Sequence, residues 1–257
     1  MELASTVHGQ PTDRPPLVIA HGLFGSGRNW GAVARRLADA RQVVAVDMRN
    51  HGDSPKAPDH GYAAMADDLA AAIAAHGGRA DLLGHSMGGK AAMVLALTEP
   101  ARLRRLIVAD MAPVAYQHSQ LGYVRAMQAV DLATVRRRGD ADAALAPAVP
   151  EAGLRAFFLQ SLALGPARAD WKLDLATLAD QMPRIMAFPE LPGRFDGPTL
   201  FLTGGRSDYV RPEHWPRIRE LFPAAEARAL PGAGHWLHAE QPQRFIEAVT
   251  AFLDRPS

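Results

Sequence analysis

A serine hydroxyl attacks a carbonyl when it stands exposed at a sharp turn, has a base to take its proton, and faces donors for the charge that develops. Residues 84–88, Gly-His-Ser-Met-Gly, fit the first of these needs. They follow a short apolar run and precede a helical pattern, so Ser86 would sit on a strand-to-helix turn. Glycines two residues to either side suit a place where strand and helix backbones crowd. Taken alone, the pattern equally suits an ordinary glycine-rich turn, and the other groups in the chain must decide.

Histidine is the usual base near neutral pH. Of the 10 histidines, His235 lies in Gly232-Ala-Gly-His-Trp236, after the last apolar run and before the last helical pattern. An acid must orient it, and two are on offer. Asp208 follows the penultimate apolar run, in Gly204-Gly-Arg-Ser-Asp-Tyr-Val210. Asp110 follows the run after the nucleophile's helix, in Ile107-Val-Ala-Asp-Met-Ala-Pro113. Either gives the order Ser, Asp, His. Position ranks Asp208 first, while the apolar run before Asp110 makes it the more buried of the two. On that ranking Asp208→Asn would lower kcat more than Asp110→Asn.

The developing oxyanion needs backbone donors. Gly22, in His21-Gly-Leu-Phe24, lets the N–H of Leu23 (or of Phe24) turn toward the site, beside the N–H of Met87 at the next helix's start. Phe24, Trp236 and His238 are candidates for the pocket wall. His235 and His238 stand three apart, a spacing metal sites use, but no third ligand cluster accompanies them. No metal and no other cofactor is therefore expected. Lys90, one helical turn past Ser86, is expected to hold neighbouring groups rather than act as a base. The stretch Asn50-His-Gly-Asp-Ser54 reads as a polar turn.

Short continuous apolar runs at 17–20, 43–46, 82–83, 106–109, 199–202 and 227–230 lead into these loops. Such runs suit strands buried on both faces of a parallel sheet. Helical patterns at 30–40, 62–76, 87–99, 212–222 and 242–253 alternate with them, which predicts a doubly wound α/β fold. The rhythm breaks between 113 and 195, where helical stretches at 121–130, 154–162 and 175–187 appear and no strand is evident. About 80 residues are too many for one loop. The division expected is an α/β core of residues 1–112 and 196–257, with a helical cap inserted at 113–195. Phe157, Phe158 and Trp171 are expected in that insertion's own core, with the lining of an acyl pocket as the alternative.

The chain of 257 residues is 48% hydrophobic and 21% charged, enough for a sizeable core. A formal charge of +1 gives no reason to expect nucleic acid as partner, and the run Arg136–Arg138 reads as a solvated helix end. With no cysteine, disulfides, thiolate catalysis and cysteine-ligated zinc are all excluded. No apolar run reaches the roughly 18 residues of a membrane helix, and the first residues lack a signal-peptide pattern. The cytoplasm is the expected location.

Seven ordered segments carry a resemblance: HGLFGS at 21–26, Asn29-Trp30, DMRNHGDSP at 47–55, GHSMGGK at 84–90, DMAP at 110–113, GGRSDYV at 204–210 and GAGHWLHAE at 232–240. Over essentially its whole length the chain resembles the α/β-hydrolase superfamily, and within it the YbfF-type bacterial esterases and their mitochondrial relatives. The resemblance implies a mostly parallel sheet flanked by helices, a helical cap, and hydrolysis of a small acyl ester or thioester through an acyl-enzyme on Ser86. It also makes Asp110 a candidate triad acid, since some members lack an acid at the place of Asp208. Haloalkane dehalogenases and epoxide hydrolases place a carboxylate where Ser86 stands. A carbon–carbon bond hydrolase, a menaquinone-pathway-type lyase and a non-catalytic ligand-binding or protein-protecting role are the alternatives on the same scaffold.

Overall fold

In the computed structural model, which describes residues 1–165 and 168–256, alternating apolar residues send their side chains to opposite faces of one sheet. Residues 166 and 167 of the expected insertion, and 257 at the end of the expected core, lie outside the described residues. The strands are β1 (Ser5–His8), β2 (Leu17–Ala20), β3 (Val43–Val46), β4 (Ala80–His85), β5 (Leu103–Ala109), β6 (Leu162–Leu164), β7 (Ala169–Trp171), β8 (Thr199–Gly204) and β9 (Ala225–Leu230). Seven of them form a sheet in the order β1-β3-β2-β4-β5-β8-β9. Every pairing in it is parallel except that of β1 with β3.

Val18, Val44, Leu82, Leu106, Val108 and Phe201 join one apolar cluster. Their neighbours Ile19, Ala45, Leu83, Ile107 and Leu202 join the other. Both clusters are covered by helices, which is why these strands read as unbroken apolar runs. α2 (Tyr62–Ala75) and α3 (Met87–Thr98) cover the first face. α1 (Gly31–Leu37) and α11 (Pro242–Leu253) cover the second. α9 (Trp215–Leu221) joins β8 to β9, and the short α10 (Leu237–Glu240) precedes α11.

Between β5 and β8 lie α4 (Leu121–Gln128), α5 (Arg138–Leu145), α6 (Ala152–Leu159), α7 (Leu175–Asp180) and α8 (Met182–Met186). The helical stretch expected at 175–187 is divided at Gln181, with Pro183 in the first turn of α8, where its missing N–H costs nothing. The segment also holds strands where none was expected, the antiparallel pair β6 and β7. Three-residue strands are too short to show a period. The edge strand β1 was likewise unmarked, because Ser5, Thr6 and Val7 are exposed. Arg137 precedes α5 and its N–H, like that of Arg136, donates to Asp140, so the arginine run opens a helix. Phe158 and Trp171 are buried, as expected, and the Trp171 indole donates to Met127 O at 3.1 Å.

Register aligns the strand ends. Ala20 pairs with Gly84, His85 with Ala109, and Gly204 with Leu230. The loops after β2, β4, β5, β8 and β9 therefore emerge along one edge, beside the point where the order reverses between β2 and β4. The opposite edge is held by charge. Asp81, wholly buried at the start of β4, accepts from Arg41 Nη1 at 2.8 Å and from Arg104 Nε at 2.8 Å. Among the described residues, no helix is long and apolar enough to cross a membrane. Removing Asp81's charge would leave a 3%-exposed arginine with only the 36%-exposed Asp254 as a carboxylate partner. Asp81→Asn is expected to lower stability by about 3–5 kcal/mol, measured by urea unfolding at neutral pH.

Candidate active site

The turn after β4 is as crowded as its glycines imply. A Cβ on Gly84 would overlap the backbone of Gly88, and one on Gly88 would overlap Ala20 O. Between them Ser86 adopts φ 54° and ψ −119°, a conformation a non-glycine residue holds only under constraint. Its N–H donates to Ala109 O at 3.1 Å, which ties the turn to β5. Phe24, Asn50 and Asp110 also have positive φ, at 67°, 64° and 53°, and Phe24 and Asp110 follow strands β2 and β5.

His235 Nε2 lies 3.1 Å from Ser86 Oγ, and His235 Nδ1 lies 2.8 Å from Asp110 Oδ2. Asp110 has no exposed surface. Its Oδ1 also accepts the Gly204 N–H at 3.0 Å, and its Oδ2 the Ser207 hydroxyl. With Asp110 the acceptor at Nδ1, that nitrogen carries the proton and Nε2 is left to accept from Ser86. Tyr209 stacks on the imidazole with ring centroids 3.9 Å apart and an interplanar angle of 16°. His85, neutral because burial pushes its pKa well down, donates from Nε2 to the His235 carbonyl at 2.9 Å.

The ranking of the two acids is corrected here. Asp208 is exposed, and no hydrogen bond joins it to His235 among the described residues. The residue before it, Ser207, turns inward instead and reaches Asp110. An aspartate four residues past the end of β5's neighbour β8 rides on a solvated loop, whereas Asp110 leaves β5 directly under the imidazole. Three of the missed groups were in quoted motifs: Ser207 and Tyr209 beside Asp208, and His51 in the expected polar turn.

The N–H groups of Leu23 and Met87 have no intramolecular acceptor among the described residues and border the same cavity as Ser86. The Phe24 N–H, the other donor considered, is taken by His51 Nε2 at 3.2 Å. The cavity holds about 270 Å³ and is walled by Phe24, Tyr123, Leu154, Phe157, Phe158 and Trp236, so core and insertion both contribute. Phe24 packs edge-on against Phe158 at 5.2 Å, and Trp236 stands 38% exposed beside Phe157. His238 borders the cavity, yet its ring is stacked on Trp30 at 4.1 Å rather than grouped with His235 as a ligand pair. Lys90 donates to the carbonyls of Met186 and Ala187 at 2.9 and 2.7 Å, holding the insertion as expected, and burial lowers it to about 7.

Comparison with known proteins bears on the family and the fold. The family model described as "alpha/beta hydrolase fold" matches residues 15–242. The chain is 45% identical over 248 residues to mouse "sn-1-specific diacylglycerol lipase ABHD11", covering 93% of this chain and 81% of the relative. It is 37% identical over 255 residues to "Esterase YbfF" of Escherichia coli K12, covering 98% and 97%. A solved structure titled "Marine microorganism esterase" superposes with a TM-score of 0.93 at 36% identity, covering 98% of this chain and 99% of that one.

Burial keeps a row of histidines behind the cavity neutral. His21 falls to about 4, and His51 and His60 to about 3, each chiefly through desolvation. In the unfolded chain the same groups titrate near 6.5. Between those values the unfolded state binds more protons, so stability falls as pH drops below about 6.5 and goes on falling to about 3. Each histidine contributes up to roughly 1.4 kcal/mol per pH unit. Urea midpoints at pH 7.5, 6 and 5 are expected to decline in that order; equal midpoints would contradict the neutral row.

Proposed function

This chain belongs to the α/β-hydrolase fold family, and on that premise we propose that it hydrolyses carboxylic esters or thioesters of small acyl groups through an acyl-enzyme on Ser86. The observation that carries the reading is the unbroken contact from Asp110 through His235 to Ser86, beneath two N–H groups that have no other partner among the described residues. Relatives named as an esterase and a diacylglycerol lipase, with this chain aligned over 98% and 93% of its length, support it.

The steps follow from the distances. With an acyl carbonyl in the cavity, Ser86 Oγ attacks the carbon as His235 Nε2, 3.1 Å away, takes the hydroxyl proton. Positive charge then appears on an imidazole whose Nδ1–H donates to buried Asp110, so the cation forms beside a fixed anion. Leu23 and Met87 N–H receive the oxyanion; Met87 does so from the first turn of α3, where N–H groups point outward. His235 returns the proton to the leaving oxygen or sulfur. Water, activated by the same nitrogen, then splits the acyl-enzyme. No step requires a metal or an organic cofactor.

The segment 113–195 acts in this reading as a cap over the strand ends, and its aromatic side chains shape the acyl pocket. A cavity of about 270 Å³ walled by aromatic and aliphatic groups fits short and medium acyl chains, with Trp236 at its exposed rim. A fluorophosphonate probe is expected to label the wild type and not Ser86→Ala, and a p-nitrophenyl ester series to peak at short or medium chains. Absence of Ser86-dependent labelling in folded protein would overturn the reading. Asp110→Asn is expected to lower kcat roughly 10³- to 10⁴-fold. Asp208→Asn should stay within about threefold of wild type; the opposite ranking would restore the exposed aspartate as the acid.

A further inference from the structure

The loop that presents the Leu23 N–H is held at each successive peptide unit. The Gly22–Leu23 unit carries the Gly22 carbonyl opposite the Leu23 N–H, so fixing one end aims the other. That carbonyl accepts from His21 Nδ1 at 2.8 Å and from the Gly25 N–H at 3.0 Å. In the next unit the Phe24 N–H donates to His51 Nε2. In the third, the Phe24 carbonyl accepts the Ser161 hydroxyl at 3.0 Å. The N–H of that third unit is the Gly25 donor that returns to Gly22. Turning the Phe24–Gly25 peptide therefore moves a support of the Gly22 carbonyl and, with it, the Leu23 N–H.

Of these anchors, Ser161 is the one that comes from the inserted segment. It is buried, and both sides of its backbone are fixed: its N–H donates to Phe158 O at 2.9 Å and its carbonyl accepts the Lys172 N–H at 2.7 Å. Phe158 also meets the Phe24 ring, so the insertion grips Phe24 by side chain and carbonyl together. Asn29, which accepts the Ser26 N–H at 2.6 Å just beyond the loop, donates to Gln160. The grip falls on a residue with φ 67°, a conformation that a phenylalanine keeps only when its surroundings impose it.

We propose that Ser161 is a positioning residue for the oxyanion site: its hydroxyl holds the Phe24 peptide in the left-handed conformation that directs the Leu23 N–H at the acyl oxygen. The insertion thereby helps build the charge-stabilising site as well as the pocket wall. This rests on the ester-hydrolase reading above. Without the hydroxyl the buried Phe24 carbonyl loses its partner and the peptide is released to turn.

The test compares wild type, Ser161→Ala and Lys172→Ala as full chains. Three quantities are read: the rate of Ser86 labelling by a fluorophosphonate, kcat and KM for a short p-nitrophenyl ester, and inhibition by a trifluoromethyl ketone. The ketone's adduct places an oxyanion at the two N–H groups. Ser161→Ala is expected to lower kcat and ketone affinity in step, each about tenfold, with KM within about twofold. Lys172→Ala breaks an exposed ion pair with Asp53 between insertion and core but keeps the hydroxyl, and should retain both values. Wild-type ketone affinity in Ser161→Ala, or an equal loss in Lys172→Ala, would overturn the assignment. Ser161→Cys, similar in size but a weaker donor, serves if the alanine variant folds poorly; an intermediate loss supports the role and no loss refutes it. If wild type neither reacts with the fluorophosphonate nor binds the ketone, the ester-hydrolase reading falls and takes this inference with it. If wild type reacts and Ser161→Ala matches it, this inference falls alone.

Discussion

A carboxylate with no exposed surface is tolerable only where donors converge on it, and those that meet Asp110 come from different loops. Gly204 ends β8, Ser207 lies in the turn beyond, and His235 follows β9. Burying Asp110 therefore fixes these loops relative to one another and to β5. The imidazole, held on one side by the carboxylate and on its face by Tyr209, is left with one nitrogen free to meet Ser86. Sheet register does the remaining placement, because Ala109 pairs with both His85 and Leu202.

The α/β alternation and the loops that carry chemistry were legible because both depend on local pattern. Apolar runs buried on two faces, and glycines where backbones touch, leave marks in consecutive residues. Ser86, His235, Leu23 and Met87 all stand where those marks put them. The choice between Asp208 and Asp110 was not legible, since it turns on which way a loop faces after β8. Chain order is the same for both acids. Burial was the better guide: the run Ile107-Val-Ala before Asp110 marks a strand continuing under the site, while Arg206 and Asp208 in the other loop mark a solvated turn. The β6–β7 hairpin and β1 were invisible for a different reason, being too short or too exposed to carry a period.

The supporting layer was hidden in plain composition. Nothing in the residues around His51 or Ser161 points to Phe24, and each acts on it from more than 25 positions away. Asn50-His-Gly-Asp-Ser54 is indeed a turn, but its histidine is turned inward to a backbone N–H. Long-range pairing of a side chain with a main-chain group leaves no local pattern to read. It appears only when the fold is known.

The two edges of the sheet are held by different physics. Where the strands begin, Asp81 gathers the guanidinium groups of Arg41 and Arg104. Where they end, the loop carrying Leu23 is fixed by neutral ring nitrogens, a hydroxyl and peptide groups. Screening acts on charge, so ionic strength has little purchase on the contacts that hold the Leu23 loop. Salt dependence in the stability of this protein belongs to its exposed ion pairs, such as Arg14 with Asp254, whereas Asp81 and Asp110, both wholly buried, are screened far less.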